Sequence, residues 1–173
     1  GSFTTGGYSG ASGTNIALVA NTVNGAIVNP GETFSLNGYT GPRGTAQGYV
    51  ESGIILNGRA DTAVGGGISQ FATTLYNAAY FAGMTDVAHP PHSYYISRYP
   101  AGREATVYEG AIDLQFRNDS PYPVKITTSA DDSDIIGWHR NTPVGKAKEP
   151  RRPPVKARPP RQHGGDGRSE EHT

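Results

Sequence analysis

The spacing of apolar positions predicts two helices. Residues 15–24 repeat apolar side chains every three or four positions, and Gly25 follows as a candidate left-handed cap. Residues 69–82 repeat them more regularly, and Gly83 ends the pattern. The apolar positions are Ile16, Val19, Ala20 and Val23 in the first helix and Phe71, Leu75, Ala78, Ala79 and Ala82 in the second.

Short extended segments surround both predicted helices. They lie at residues 26–28, 34–36 and 49–56 before the second helix, and at 93–99, 105–108, 111–116, 124–128 and 135–138 after it. Clusters of Gly, Pro, Asn and Asp separate many of these segments as turns. Two helices with a majority of short strands predict an α+β fold, a single compact domain with a mixed or antiparallel sheet.

The last part of the chain differs in composition from the rest. Residues 143–173 contain six Pro, eight Lys or Arg, four Asp or Glu and no aromatic residue. Such a segment buries too little apolar surface to offset its ordering entropy, so we predict a disordered basic tail. Residues 1–142 keep seven basic and 11 acidic residues, a net charge of −4. Within them we predict a flexible segment at 1–14 and the folded domain at 15–142.

Composition excludes several classes of site. The chain has no Cys, which rules out disulfides, thiolate catalysis, Cys-ligated zinc and iron–sulfur clusters. The 15 basic and 15 acidic residues balance, so nothing in the net charge favours a nucleic-acid partner. No stretch of the sequence approaches the ~20 apolar residues of a membrane span. We therefore expect no nucleic-acid partner and no transmembrane segment in this chain.

Three glycines directly before the second helix mark the first candidate site. Residues 65–70 read Gly-Gly-Gly-Ile-Ser-Gln, which places Ser69 in the first turn of the helix. Glycines permit close approach of a substrate, and the first turn of a helix presents unpaired N–H groups that suit a carboxylate or an oxyanion. Ser69 is therefore a candidate nucleophile beside an oxyanion hole. The alternative is that Ser69 only caps the helix.

Two histidines flank a rigid turn before the predicted strand at 93–99. The run His89-Pro90-Pro91-His92 puts imidazole, the usual general base near neutral pH, where it can face a helix N-terminus across a cleft. A structural or solvated role is the alternative for this pair. The intervening prolines and the lack of a third ligand disfavour a zinc site, so we expect no metal and no cofactor.

The segment after these histidines carries the remaining candidates. Arg103 could clamp a substrate carboxylate through two hydrogen bonds, and Glu104 or Asp113 could orient an imidazole. Tyr99 suits the wall of a groove better than it suits catalysis. An ordinary exposed turn is the alternative for Arg103 and Glu104.

A series of short motifs follows a characteristic order between about residues 15 and 128. The motifs are Asn-Pro-Gly-Glu-Thr-Phe-Ser-Leu-Asn at 29–37, Gly-Pro-Arg at 41–43, Gly-Tyr at 48–49, Gly-Gly-Gly-Ile-Ser-Gln at 65–70, Thr-Thr-Leu-Tyr-Asn-Ala at 73–78, His-Ser at 92–93, Tyr-Pro-Ala-Gly at 99–102, Ala-Thr-Val at 105–107 and Asp-Leu-Gln-Phe-Arg-Asn at 113–118. Together they resemble the VanW domain family over most of the predicted folded region.

The resemblance implies a bacterial cell-envelope protein located outside the cytoplasm, secreted or membrane-anchored in its full-length form. The family is named from glycopeptide (vancomycin) resistance clusters, and several members resemble noncanonical L,D-transpeptidases, which cross-link peptidoglycan stem peptides through an acyl-enzyme. In the pattern of those active members, a Cys is the nucleophile where this sequence has Ser69, His92 would be the base, and an Asp stands at the position of Glu104. A serine is a far weaker acid than a thiol, so Ser69 would need a well-placed base.

Three functions therefore remain open. In the first, the domain is a peptidoglycan acyl-transferase of the L,D-transpeptidase type, or an amide hydrolase, with Ser69 and His92 as the catalytic pair. The substrate-binding residues of that enzyme would be Gly66, Gly67, Gln70, Tyr99 and Arg103. In the second, the same cleft at residues 65–70 binds stem peptides or an envelope protein partner without catalysis. In the third, the domain is a structural spacer.

Overall fold

The computed structural model describes residues 1–8, 10–130 and 134–139 of the chain. Its helices are α1 (Gly10–Val23), α2 (Leu36–Thr40) and α3 (Ile68–Phe81), with a 3₁₀ turn at Thr45–Gln47. Its strands are β1 (Phe3–Gly6), β2 (Ile27–Val28), β3 (Thr33–Ser35), β4 (Glu51–Leu56), β5 (Arg59–Val64), β6 (Thr85–Ala88), β7 (Gln115–Arg117), β8 (Val124–Ala130) and β9 (Asp134–His139). Helices combined with antiparallel strands confirm the predicted α+β class.

The strands form three antiparallel sheets. One has the order β1-β9-β8-β2, the second has the order β3-β7-β6, and the third is the hairpin β4-β5. In the hairpin turn, Asn57 and Gly58 have φ angles of 50° and 75°. Positive φ at both central residues is the pattern of a type I′ turn, whose twist matches that of the two strands.

Helix α3 is the central element of the core. Eleven of its 14 residues are buried. A helix buried on nearly all sides needs neighbours on several sides, and α3 packs on α1, β1 and β9. Helix α1 packs on β8 and buries its four predicted apolar positions. The three larger side chains, Ile16, Val19 and Val23, each contribute roughly 1.5–3 kcal/mol when fully buried.

The N-terminal segment contains secondary structure that the sequence pattern did not predict. Residues 1–14, for which we expected flexibility, contain β1 and the first turns of α1. Strand β1 pairs with β9, and Phe3 stacks on Phe81 with ring centroids 6.1 Å apart. Four residues without apolar alternation carry no local strand signal, so these long-range contacts hold the segment. The tail predicted at 143–173 lies outside the described residues.

The segment between α3 and β8 contains fewer strands than predicted. Residues 93–99 form turns, and residues 105–107 are extended but belong to no sheet. Within the predicted strand at 111–116 only the end is in a sheet, as β7. Strand β6, which the apolar pattern does not reveal, pairs with β7 instead. No helix among the described residues is long and apolar enough to cross a membrane.

Asn15 joins α1 to the loop that precedes α3. It is completely buried, and its Nδ2 donates hydrogen bonds of 2.9 Å to the carbonyls of both Val50 and Gly66. Its Oδ1 accepts a third bond, of 2.9 Å, from the Val50 N–H. One side chain therefore fixes α1, the start of the β4-β5 hairpin and the glycine loop relative to each other.

We predict that Asn15→Ala lowers the free energy of unfolding by about 2–4 kcal/mol, because it leaves the Val50 N–H and the buried Gly66 carbonyl without their side-chain partner. Urea denaturation followed by circular dichroism measures the loss. Asn21→Ala, at an exposed position of the same helix, is the matched control and should change stability by less than about 0.5 kcal/mol. Equal effects of the two substitutions would contradict the role of Asn15.

Candidate functional site

Polar side chains on one stripe of α3 hold a neighbouring extended segment. The Ser69 hydroxyl accepts a hydrogen bond from the Val107 N–H at 3.2 Å and donates one to the Val107 carbonyl at 3.4 Å. One turn further, the buried Thr73 hydroxyl makes the same pair of bonds to Ala105, at 3.0 and 3.1 Å. A hydroxyl can do both at once because it has one donor and two acceptor lone pairs.

A third contact extends this row by another turn. Asn77 Nδ2 donates to the Arg103 carbonyl at 2.8 Å. Four residues of helix rise about 6 Å, and two residues of extended chain span about 6.6 Å, so the two backbones stay in step while they run antiparallel. We call this row, Ser69, Thr73 and Asn77 against residues 103–107, the α3 ladder. Polar residues every four positions on one face of a largely buried helix are the sequence signal for it.

The glycine loop before α3 is shaped by packing. Gly67 is the N-cap of α3 with φ of 95°, so Ser69 lies inside the first turn and is not the cap. A Cβ on Gly66 would come within 2.3 Å of the Ser52 carbonyl oxygen, and one on Gly67 within 2.8 Å of the Ser12 Cβ. Close approach of α1 and β4 therefore requires glycine at both positions, independently of any ligand.

His92 is paired with Glu104 in a recessed position. Nδ1 of His92 lies 2.9 Å from Oε2 of Glu104, and the two side chains are only 8% and 13% exposed. The His92 ring stacks on Tyr99 with centroids 6.2 Å apart, and burial raises the pKa of the Tyr99 phenol. Nδ1 faces the carboxylate, which leaves Nε2 as the nitrogen able to accept a proton.

Ser69 and His92 contact different parts of the same extended segment. The hydroxyl of Ser69 is bonded at Val107, whereas His92 is bonded at Glu104, about 10 Å away along an extended chain. The Thr106 N–H donates to the Pro90 carbonyl at 2.8 Å, on the edge of the segment opposite α3. Within the described residues no hydrogen bond joins Ser69 to His92.

Three other candidates lie apart from Ser69 or serve packing. The Arg103 guanidinium lies over Phe81 and Tyr80, 5.0 and 5.5 Å from their ring centroids, at the C-terminal end of α3. Asp113 accepts hydrogen bonds from the Ser35 hydroxyl and the Asn37 N–H at the start of α2. Gln70, 5% exposed, donates through Nε2 to the Gly6 carbonyl at 2.9 Å and so holds β1.

The structure also points to a residue that the sequence analysis treated only as part of a turn motif. Arg43, in the Gly-Pro-Arg cluster at 41–43, is only 5% exposed although its side chain is cationic. A solvated turn arginine and a buried one look the same in sequence, so the pattern gave no signal of burial. Among the described residues no group of three or more His, Asp or Glu side chains could hold a metal ion.

Similarity to known proteins covers most of the domain. Residues 11–138 match the model of a family described as VanW like protein. The chain is 39% identical over 112 residues to the uncharacterized protein YoaR of Bacillus subtilis, which covers 65% of this chain and 37% of YoaR. It is 32% identical over 130 residues to the vancomycin B-type resistance protein VanW of Enterococcus faecalis, which covers 71% of this chain and 46% of that protein. The chain thus spans less than half of either relative, and no solved structure matches it.

We predict that Thr73→Val lowers the free energy of unfolding by about 2–4 kcal/mol, because a nearly isosteric side chain leaves the buried N–H and carbonyl of Ala105 unpaired. Denaturation in urea measures the loss, and faster hydrogen exchange at the Ala105 amide would locate it on the ladder. Thr127→Val, at an exposed position of β8, is the control and should stay within about 0.5 kcal/mol. If the Ala105 amide stayed as protected as in the unmodified chain, the ladder would not be what holds residues 103–107.

Proposed function

This chain belongs to the VanW family, and we propose that its domain is a module of the bacterial cell envelope that binds peptidoglycan stem peptides without cleaving them. The name of one relative connects the family with vancomycin resistance. The resemblance of several members of that family to noncanonical L,D-transpeptidases supports stem peptides as the ligand class. An extracytoplasmic location, secreted or anchored in the full-length protein, is part of the same proposal.

The state of the Ser69 hydroxyl carries the proposal of binding without catalysis. Its proton and one lone pair are engaged by the backbone of Val107, and its partner in the resemblance, His92, is engaged by Glu104. An alcohol at the N-terminus of a helix stays protonated, so attack on a carbonyl requires a base in hydrogen-bond contact with it. A bound peptide meets no such requirement.

A surface groove beside the first turn of α3 suits an extended peptide. One wall is β1, the edge strand of its sheet, and the other is residues 97–100, which include Tyr99. An edge strand offers backbone N–H and carbonyl groups to which an extended peptide can add. One end of this groove lies beside the start of α3, because the Gly6 carbonyl at the end of β1 accepts a hydrogen bond from Gln70.

Acyl transfer is the second candidate, and the His92–Glu104 pair favours it. A carboxylate on Nδ1 fixes the tautomer whose Nε2 accepts a proton, which is the arrangement of a base in a nucleophilic triad. Catalytic hydrogen bonds often form only when substrate is bound. In this case Ser69 would have to leave Val107 and turn toward His92.

We predict that the domain binds a synthetic tetrapeptide stem and forms no acyl adduct with it. Isothermal titration calorimetry measures binding, and intact-mass spectrometry after incubation with tetrapeptide-bearing peptidoglycan fragments detects an adduct. Ser69→Ala should leave the dissociation constant within about twofold, because both hydrogen bonds of the hydroxyl go to the Val107 backbone. Tyr99→Leu should weaken binding by about tenfold, while Tyr122→Leu, at an exposed position away from the groove, should not change it.

Each of the other outcomes has a definite meaning. An adduct mapped to Ser69 that is absent from Ser69→Ala would replace the binding proposal with acyl transfer. An adduct on Ser69→Cys alone would show a site competent for chemistry but holding an unreactive nucleophile, which agrees with the proposal. The binding proposal would be overturned if the folded domain and its Tyr99→Leu and Tyr122→Leu variants all failed to bind the peptide.

A further inference from the structure

Arg43 is a buried cation without a matching carboxylate. Its residue is 5% exposed, and none of the ion pairs formed by the described residues includes it. Burying an ionised side chain is costly unless an opposite charge or several hydrogen bonds replace its water. Arginine is also the residue whose planar fork best fits a carboxylate, through two parallel N–H···O bonds.

The nearby acidic side chains accept hydrogen bonds from groups other than the Arg43 guanidinium. Glu109 accepts a hydrogen bond of 2.8 Å from the backbone N–H of Arg43, not from its guanidinium. Asp113 accepts from the Ser35 hydroxyl, the Asn37 N–H and the Gln115 side chain. Both carboxylates lend a favourable field to the cation, yet neither is within ion-pair distance of the guanidinium.

Two nitrogens of the Arg43 fork remain available. Nη1 donates to the Thr40 hydroxyl at 2.9 Å, and that is the one hydrogen bond of the guanidinium within the described residues. Nε and Nη2 have no hydrogen-bond partner within the described residues, and neither is completely buried. Both nitrogens therefore remain in contact with solvent. Burial lowers the pKa of the Arg43 guanidinium, and Glu109 raises it in part. Arginine stays charged throughout the ordinary pH range.

Arg43 lies next to the loop that leads into the cleft. A Cβ on Gly65 would be 3.5 Å from the Arg43 carbonyl oxygen, and Gly65 begins the glycine loop before α3. Glu109, which fixes the Arg43 backbone, follows Val107 by two residues, and Val107 is bonded to Ser69. By contrast, the Arg103 carbonyl is bonded to Asn77, which lies eight residues, about 12 Å, along α3 from Ser69.

We propose that Arg43, and not Arg103, is the anion-binding residue of this domain, and that its Nε and Nη2 take the terminal carboxylate of the bound peptide. The class of ligand is a carboxylate held by two charge-assisted hydrogen bonds. That the carboxylate belongs to a stem peptide rests on the proposed function. The carboxylate site itself does not rest on that function, because any carboxylate that reaches Nε and Nη2 of Arg43 can accept the same two hydrogen bonds.

The test compares a tetrapeptide stem that has a free terminal carboxylate with the same peptide amidated at its C terminus. The unmodified domain should bind the free acid at least tenfold more tightly than the amide. Arg43→Met should reduce that ratio to about one, and Arg43→Lys should leave an intermediate ratio because it keeps the charge but loses the fork. Arg59→Met, an exposed arginine in the β4-β5 hairpin, should keep the full ratio.

A measurement on the unmodified domain covers the case in which Arg43→Met does not fold. Sodium acetate, titrated at constant ionic strength, should shift the Arg43 Nε–Hε resonance in an arginine side-chain NMR spectrum, whereas sodium chloride should not. Arg43→Lys assigns that resonance by its absence.

The two proposals fail in distinguishable ways. A resonance shifted by acetate, together with no binding of either peptide, would keep the carboxylate site and remove stem peptides as its ligand. Equal binding of acid and amide by the unmodified domain, with no acetate shift, would overturn the role of Arg43 and leave peptide binding intact. A full acid-to-amide ratio in a folded Arg43→Met domain would also overturn it.

Discussion

The α3 ladder is the constraint on which the rest of the domain depends. Residues 103–107 belong to no sheet, so the Arg103 carbonyl and the backbone N–H and carbonyl groups of Ala105 and Val107 would lose their partners without Ser69, Thr73 and Asn77. The match between helix rise and extended-chain spacing lets three successive turns of α3 serve alternate residues of the segment. Glu104 lies within this fixed stretch, and His92 is fixed in turn because its Nδ1 is bonded to Glu104. The geometry of the candidate site therefore follows from α3.

A second polar stripe on α3 holds a second extended segment. Gln70 donates to the carbonyl of Gly6, and Thr74 shares a hydrogen bond of 2.6 Å with Thr5, so β1 is attached to the helix by side chains as well as to β9 by its backbone. Helix α3 thus holds two extended segments, β1 and residues 103–107, through hydrogen bonds of its side chains. Its buried polar side chains stabilise the fold because they hydrogen-bond to groups of the packed segments, such as the Gly6 carbonyl and the Thr5 hydroxyl. This arrangement explains why a helix buried nearly all round is not uniformly apolar.

The sequence predicts features that depend on local patterns, and it does not predict features that depend on contacts between distant residues. The 3.6-residue period of α3 and the apolar face of α1 are local patterns; α3 was predicted within one residue of its observed bounds, whereas α1 begins five residues earlier than predicted. The extended character of residues 105–107 was predicted too, but their partners are side chains of a helix, and no strand periodicity describes such pairing. The pairing of His92 with Glu104 joins residues 12 positions apart, and the separation of Arg103 from Ser69 depends on the direction in which the segment crosses α3. The burial of Arg43 depends on contacts with Thr40 and Glu109 that no local pattern encodes.

The chemistry of position 69 connects the fold to the function. In the L,D-transpeptidase-like members that this sequence resembles, a cysteine takes that position, and a thiol is a weak hydrogen-bond donor and acceptor. Its sulfur would hold the Val107 backbone only loosely and would ionise readily at a helix N-terminus. The hydroxyl of Ser69 does the opposite on both counts, since it bonds Val107 in both directions and remains protonated. Serine therefore strengthens the first step of the ladder with the same atom that a nucleophile would need, which supports the proposal of peptide binding without cleavage.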